Sequence, residues 1–109
     1  MIFIDEKIIE YSIKNSDPPS NLLNDLERET NLKILQPRML SGNFQGRFLS
    51  FLSKISKPKS VIEIGTYTGY SALCIAEGLD PNGVIHTIDN NEELTYIQNK
   101  YFEKSNYRS

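Results

Sequence analysis

A chain of 109 residues, 39% hydrophobic and 24% charged, has apolar material for one compact domain and too little length for two ordinary ones. Its net charge of -2 provides no global positive field for a polyanion, so composition lends nucleic-acid binding no support. The lone cysteine, Cys74, rules out an intrachain disulfide and a four-cysteine zinc site.

The start, Met1-Ile2-Phe3-Ile4-Asp5-Glu6, lacks the basic and apolar regions of a signal peptide, and no apolar run reaches membrane-span length, so a cytoplasmic protein with no membrane partner is expected. Residues 5–15 read as a helix, with Ile4, Ile8 and Tyr11 on one face. Asp17-Pro18-Pro19 breaks it, because two prolines fix φ and remove donors. Ser20 is a suitable N-cap for a second helix with Leu22, Leu23 and Leu26 inward and Glu27, Arg28 and Glu29 solvated. Residues 36–43 read as an extended piece and a loop.

A third helix carries Phe44, Phe48, Leu49, Phe51, Leu52 and Ile55 at helical spacing and stops at Lys57-Pro58-Lys59. Lys54, Lys57 and Lys59 form the chain's one basic cluster, which reads as a solvated helix end. Residues 60–64 form a short apolar run before a glycine, as a buried strand does. A helix over residues 69–79 follows, with Cys74 as a small buried thiol, and it ends at Gly78 and Asp80-Pro81-Asn82-Gly83. Residues 84–88 are a second strand with Asp89 at its carboxyl end. Asn90 is expected to cap a final helix, with Glu93 completing a capping box. His86 lies mid-strand and reads as packed or exposed and not as a general base, while Tyr96, Tyr101 and Tyr107 read as core or surface aromatics.

Strand, glycine turn, helix, strand, acidic residue and helix make a βαβ unit of an α/β fold. Two parallel strands cannot protect both faces and both edges of a sheet, so a partner chain or further sequence is expected to complete it. The turn reads Glu63-Ile64-Gly65-Thr66-Tyr67-Thr68-Gly69-Tyr70-Ser71. Gly65 permits a sharp exit from the strand and close approach of a ligand, and Gly69 permits tight helix packing. A dinucleotide fingerprint has a middle glycine that admits the pyrophosphate; here Tyr67 holds that place, favouring a nucleoside cofactor without one. Asp89 can accept from both ribose hydroxyls, and Glu63 from an ammonium group.

Residues 63–71 resemble the cofactor motif of the catechol and caffeoyl-CoA O-methyltransferase family, and Met39-Leu40-Ser41-Gly42-Asn43-Phe44-Gln45-Gly46 is similar to that family's upstream segment. The resemblance implies a truncated Rossmann-like class I methyltransferase fold, with amino-terminal helices and a gating loop (1–57) and a βαβα cofactor half (58–109). It implies S-adenosyl-L-methionine as cofactor, with the methionine end at Ser41, Glu63, Gly65 and Thr66. Ser71 and Asp89 line the same site, Asp89 on the ribose, and Tyr67 lies beside the cofactor. Methyl transfer to a hydroxyl of a small phenolic or catechol-like acceptor follows, assisted by a divalent cation such as magnesium whose ligands lie outside this chain. Glu103-Lys104-Ser105-Asn106-Tyr107 is mildly like the family's metal-site stretch, but reads as the frayed end of the last helix.

Without a metal site and acceptor pocket, the 109 residues alone are expected to show no appreciable turnover. Three other readings stay open: a stand-alone nucleoside-binding or dimerisation module that assembles as a homodimer, part of a tRNA-modifying O-methyltransferase, and a nicotinamide-dependent oxidoreductase, which Tyr67 disfavours.

Overall fold

The computed structural model describes residues 4–34, 40 and 42–107. Ser41 and most of the loop expected over residues 36–43 therefore lie outside the described residues. The described residues form α1 (Glu6–Lys14), α2 (Asn21–Lys33), α3 (Gly42–Ser56), β1 (Ser60–Ile64), α4 (Tyr70–Ala76), β2 (Val84–Ile88), a 3-10 turn (Glu92–Leu94) and α5 (Thr95–Lys104). Strands β1 and β2 are parallel neighbours, Ser60 opposite Val84 through Ile64 opposite Ile88.

Local chemistry explains most element boundaries. The Ser20 hydroxyl accepts from the Leu23 N–H, capping α2 as its position predicts. Helix α3 ends where Lys57 adopts φ +46°, a left-handed stop just before Pro58. Helix α4 is shorter than residues 69–79: Gly69 stands outside it at φ +98°, and residues 77–79 close with i→i−3 bonds. The last helix departs from expectation at its start. Asn91, and not Asn90, is the capping side chain, accepting from the Glu93 N–H at 3.1 Å. The cause is Asp89, whose Oδ1 accepts the Asn91 N–H and fixes the chain one residue later. Glu93 thus follows the cap by two residues, and the expected capping box does not form.

The core lies among helices: Leu23 and Leu26 of α2 meet Tyr70, Leu73 and Cys74 of α4 and Ile97 and Tyr101 of α5, with Leu94 beside them. The Leu22 side chain is only partly buried against it. Helix α3 approaches α4 through small residues, Gly46, Ser50 and Ser53, and turns Phe48, Phe51 and Ile55 to solvent. Helix α1 buries no side chain. One face of the sheet is bare: Ile62 and Ile64 are 70% and 87% exposed, and Val84 and Ile88 lie on the same side. No described helix is long and apolar enough to cross a membrane.

Candidate functional site

The carboxyl ends of both strands converge on residues 65–69. Thr66 and Gly69 close a tight turn, the Gly69 N–H donating to the Thr66 carbonyl at 2.9 Å. Tyr67 occupies it at φ +50°, a left-handed conformation that costs a non-glycine residue about 1–2 kcal/mol. Gly65 has φ +96°, and a Cβ built there would meet nothing within 4 Å, so its glycine is demanded by backbone and leaves open space beside the turn. At Gly69 the demand is double: φ is +98°, and a Cβ would stand 2.7 Å from the Phe102 ring.

Beneath the turn lies a relay of hydroxyls on a carboxylate. The Thr87 hydroxyl donates to Glu63 Oε1 at 2.7 Å, and the Ser71 hydroxyl donates to Glu63 Oε2. Because Thr87 has one hydrogen to give, Thr66 is the donor in the 2.7 Å contact between the two threonine hydroxyls. Glu63, Thr66 and Ser71, all expected at the site, are thereby brought into one cluster. Thr87 belongs to it as well, although sequence reasoning passed it over. Its signal was strand alternation, which puts Thr87 on the same face as Ile85 and opposite Glu63 in register.

Asp89 sits at the end of β2, exposed, with Oδ2 accepting the Tyr67 N–H at 2.8 Å and Oδ1 the Asn91 N–H at 2.9 Å. Those backbone hydrogen bonds, Tyr67's first, hold its carboxyl below its ordinary pKa, so it is ionised near neutrality. Each oxygen retains acceptor capacity for another donor. A second residue missed in the sequence, Gln98 of α5, donates from Nε2 to the Tyr67 carbonyl at 2.6 Å. No local pattern could have revealed it, since 31 residues separate the two.

The remaining reactive side chains lie apart from this cluster. Cys74 is buried, and desolvation pushes its thiol up to about 11, which keeps it protonated. His86 is exposed mid-strand opposite Ile62. Tyr101 is buried in the core, its hydroxyl 2.8 Å from Glu29 Oε1; Tyr96 and Tyr107 are surface aromatics. Glu103 and Lys104 end α5, and residues 105–107 form a turn with no strand before it. Among the described residues, no three His, Cys, Asp or Glu side chains gather into a set that would hold a metal ion.

Known proteins share both the sequence and this arrangement. The O-methyltransferase family model matches residues 11–109. Caffeoyl-CoA O-methyltransferase 2 of Eucalyptus globulus is 36% identical over 98 residues, covering 90% of this chain and 38% of that protein. A probable caffeoyl-CoA O-methyltransferase of Dictyostelium discoideum is 27% identical over 104 residues, covering 94% of this chain and 41% of its own length. The chain thus spans about two fifths of the length of these relatives. Among solved structures, an SAH-bound methyltransferase of Podospora anserina superposes with TM-score 0.84 at 28% identity, over 95% of this chain and 46% of that one. An O-methyltransferase from Bacillus cereus in complex with SAH gives 0.82 at 26% identity, over 94% of this chain and 46% of that one. The chain belongs to the O-methyltransferase family.

Proposed function

We propose that the residues 65–69 turn, with Glu63, Ser71 and Asp89, binds S-adenosyl-L-methionine, and that the whole protein transfers its methyl group to a hydroxyl of a small acceptor. The observation that carries this reading is Asp89, an ionised acceptor fixed by two backbone N–H groups beside an open glycine turn. Its residual lone pairs suit the two adjacent hydroxyls of a ribose. Glu63 supplies fixed negative charge for an ammonium or sulfonium group, and Ser71 and Thr87 hold its carboxylate in one orientation. Ser41 is assigned to the methionine end on the family resemblance. The SAH-bound state of the two solved relatives supports the same cofactor class.

The chemistry such a cofactor supplies is an electrophilic methyl group on a positively charged sulfur. This chain's residues bind and orient: Asp89 takes the ribose, Glu63 the charged end, and Gly65 admits close approach. Caffeoyl-CoA O-methyltransferases among the relatives support a small acceptor carrying a phenolic hydroxyl. None of the described residues is assigned to the divalent cation, magnesium, that the resemblance implies. We read residues 1–57 as helices and gating loop and residues 58–109 as the cofactor half. With no metal site or acceptor pocket assigned to its residues, the 109-residue chain is expected to bind cofactor without appreciable turnover.

Calorimetric titration with S-adenosylhomocysteine tests this reading. Saturable one-site binding is expected, weakened about tenfold or more by Asp89→Ala, the loss expected for hydrogen bonds to a charged group. No binding by the folded chain, or equal binding by the variant, would overturn it.

A further inference from the structure

The backbone of Tyr67 is tied to two separate elements. Its N–H donates to Asp89 at the end of β2, and its carbonyl accepts from Gln98 on α5. Tyr67 is also held at φ +50°, where an unrestrained tyrosine would relax toward negative φ. Gln98 is half-buried, one residue beyond Ile97, which is fully buried in the core. Helix α5 is therefore anchored on one side of Gln98, and its amide projects from a rigid element onto the turn.

We infer that Gln98 is a positioning residue for the cofactor turn, holding the Tyr67 backbone in its left-handed conformation so that the Tyr67 N–H stays on Asp89. This inference rests on the cofactor reading above. Gln98 touches neither Glu63 nor Asp89 in the hydrogen bonds of the site; its effect passes through one residue's main chain. Removing the Gln98 donor takes away its hydrogen bond to the Tyr67 carbonyl, lets the turn relax and weakens the bond from the Tyr67 N–H that orients the Asp89 carboxylate. Cofactor binding then has to restore that geometry at the expense of affinity.

The test uses the 109-residue chain and two variants that lack a donor at this position while keeping the side chain's length, Gln98→Met and Gln98→Glu. Two quantities are read on each folded protein: the affinity for S-adenosylhomocysteine by calorimetry, and the exchange rate of backbone amide hydrogens by NMR. Affinity is expected to fall about fivefold to tenfold, the loss of one preorganising hydrogen bond. The Tyr67 N–H is expected to exchange about tenfold faster, while the amides of Leu73 and Tyr101 keep their protection. A purely structural role in α5 would move the Tyr101 amide and the melting temperature together, and that result overturns the inference. Unchanged affinity or an unchanged Tyr67 exchange rate in both variants overturns it too. If the unaltered chain binds no S-adenosylhomocysteine, the cofactor reading fails, and the exchange rate still decides whether Gln98 holds the turn.

Discussion

Backbone N–H groups of Tyr67 and Asn91 hold the Asp89 carboxyl below its ordinary value, and that shift has a sign that can be checked. A carboxyl depressed on folding contributes stability that is present above its unfolded value of about 3.9 and lost as the pH falls through the folded one. Asp89→Asn is therefore expected to flatten the loss of stability below about pH 4, read by urea denaturation across pH. An unchanged acid slope would show that the two N–H bonds do not discriminate the ionised form. The two glycines of the turn should separate by measurement as well. Gly65→Ala carries only the backbone cost of φ +96°, about 1–2 kcal/mol, whereas Gly69→Ala adds a clash with Phe102 and should cost about 2–4 kcal/mol. Denaturant midpoints give both values, and equal costs would contradict the contact with Phe102. At this scale Glu63 and Asp89 were legible because strand ends and a glycine turn fix where such side chains stand, whereas Ser71 came only with the family resemblance. Thr87 left only the signal of strand alternation, and Gln98 left none, because its partner Tyr67 lies 31 residues away.

Between elements, the contact of α3 with α4 runs against the simplest reading of apolar periodicity. The phenylalanines of α3 mark a regular stripe, yet Phe48 and Phe51 are exposed and the buried residues are Gly46, Ser50 and Ser53. Close approach explains the choice: a Cβ at Gly46 would come within 2.7 Å of the Tyr70 ring and 2.8 Å of Cys74 Sγ. Polar groups then tie the helices, with Arg47 donating to both Glu77 oxygens at 3.0 and 2.8 Å and Ser50 donating to Glu77 Oε1. Although burial pushes the Glu77 carboxyl up, those bonds hold it below its usual range. Glu77→Leu leaves the Arg47 guanidinium largely buried and unpaired, and should cost about 3 kcal/mol in thermal or chemical denaturation. Gly46→Ala should cost about 1–3 kcal/mol by overpacking. A neutral result for either would mean that α3 is not clamped on α4 through this face. Helical spacing revealed that α3 exists; which face packs depended on the small residues, whose burial carries no hydropathy signal. The Asn90–Asn91 difference has a similar origin, since the Asp89 side chain competes for the backbone that would start the helix.

For the molecule as a whole, the two-stranded sheet with one bare face is the largest departure from a self-contained domain. The α/β order, the parallel pairing and the turn between the strands follow from the alternation of short apolar runs with glycine punctuation. What covers Ile62, Ile64, Val84 and Ile88 does not follow, because the local pattern of a strand does not name the element that packs on it. Ile62→Lys and Ile64→Glu in the 109-residue chain should change stability by less than about 0.5 kcal/mol, as these side chains are already mostly solvated. The central claim, that the residues 65–69 turn and Asp89 form an adenosyl-cofactor site, is tested most directly by NMR titration of the isotope-labelled chain with S-adenosylhomocysteine and, separately, with NAD. Saturating shifts are predicted with S-adenosylhomocysteine at the amides of Gly65, Thr66, Tyr67, Gly69 and Asn90, and none that saturate with NAD. Saturation by NAD alone, or shifts that leave those five amides unmoved, would contradict it.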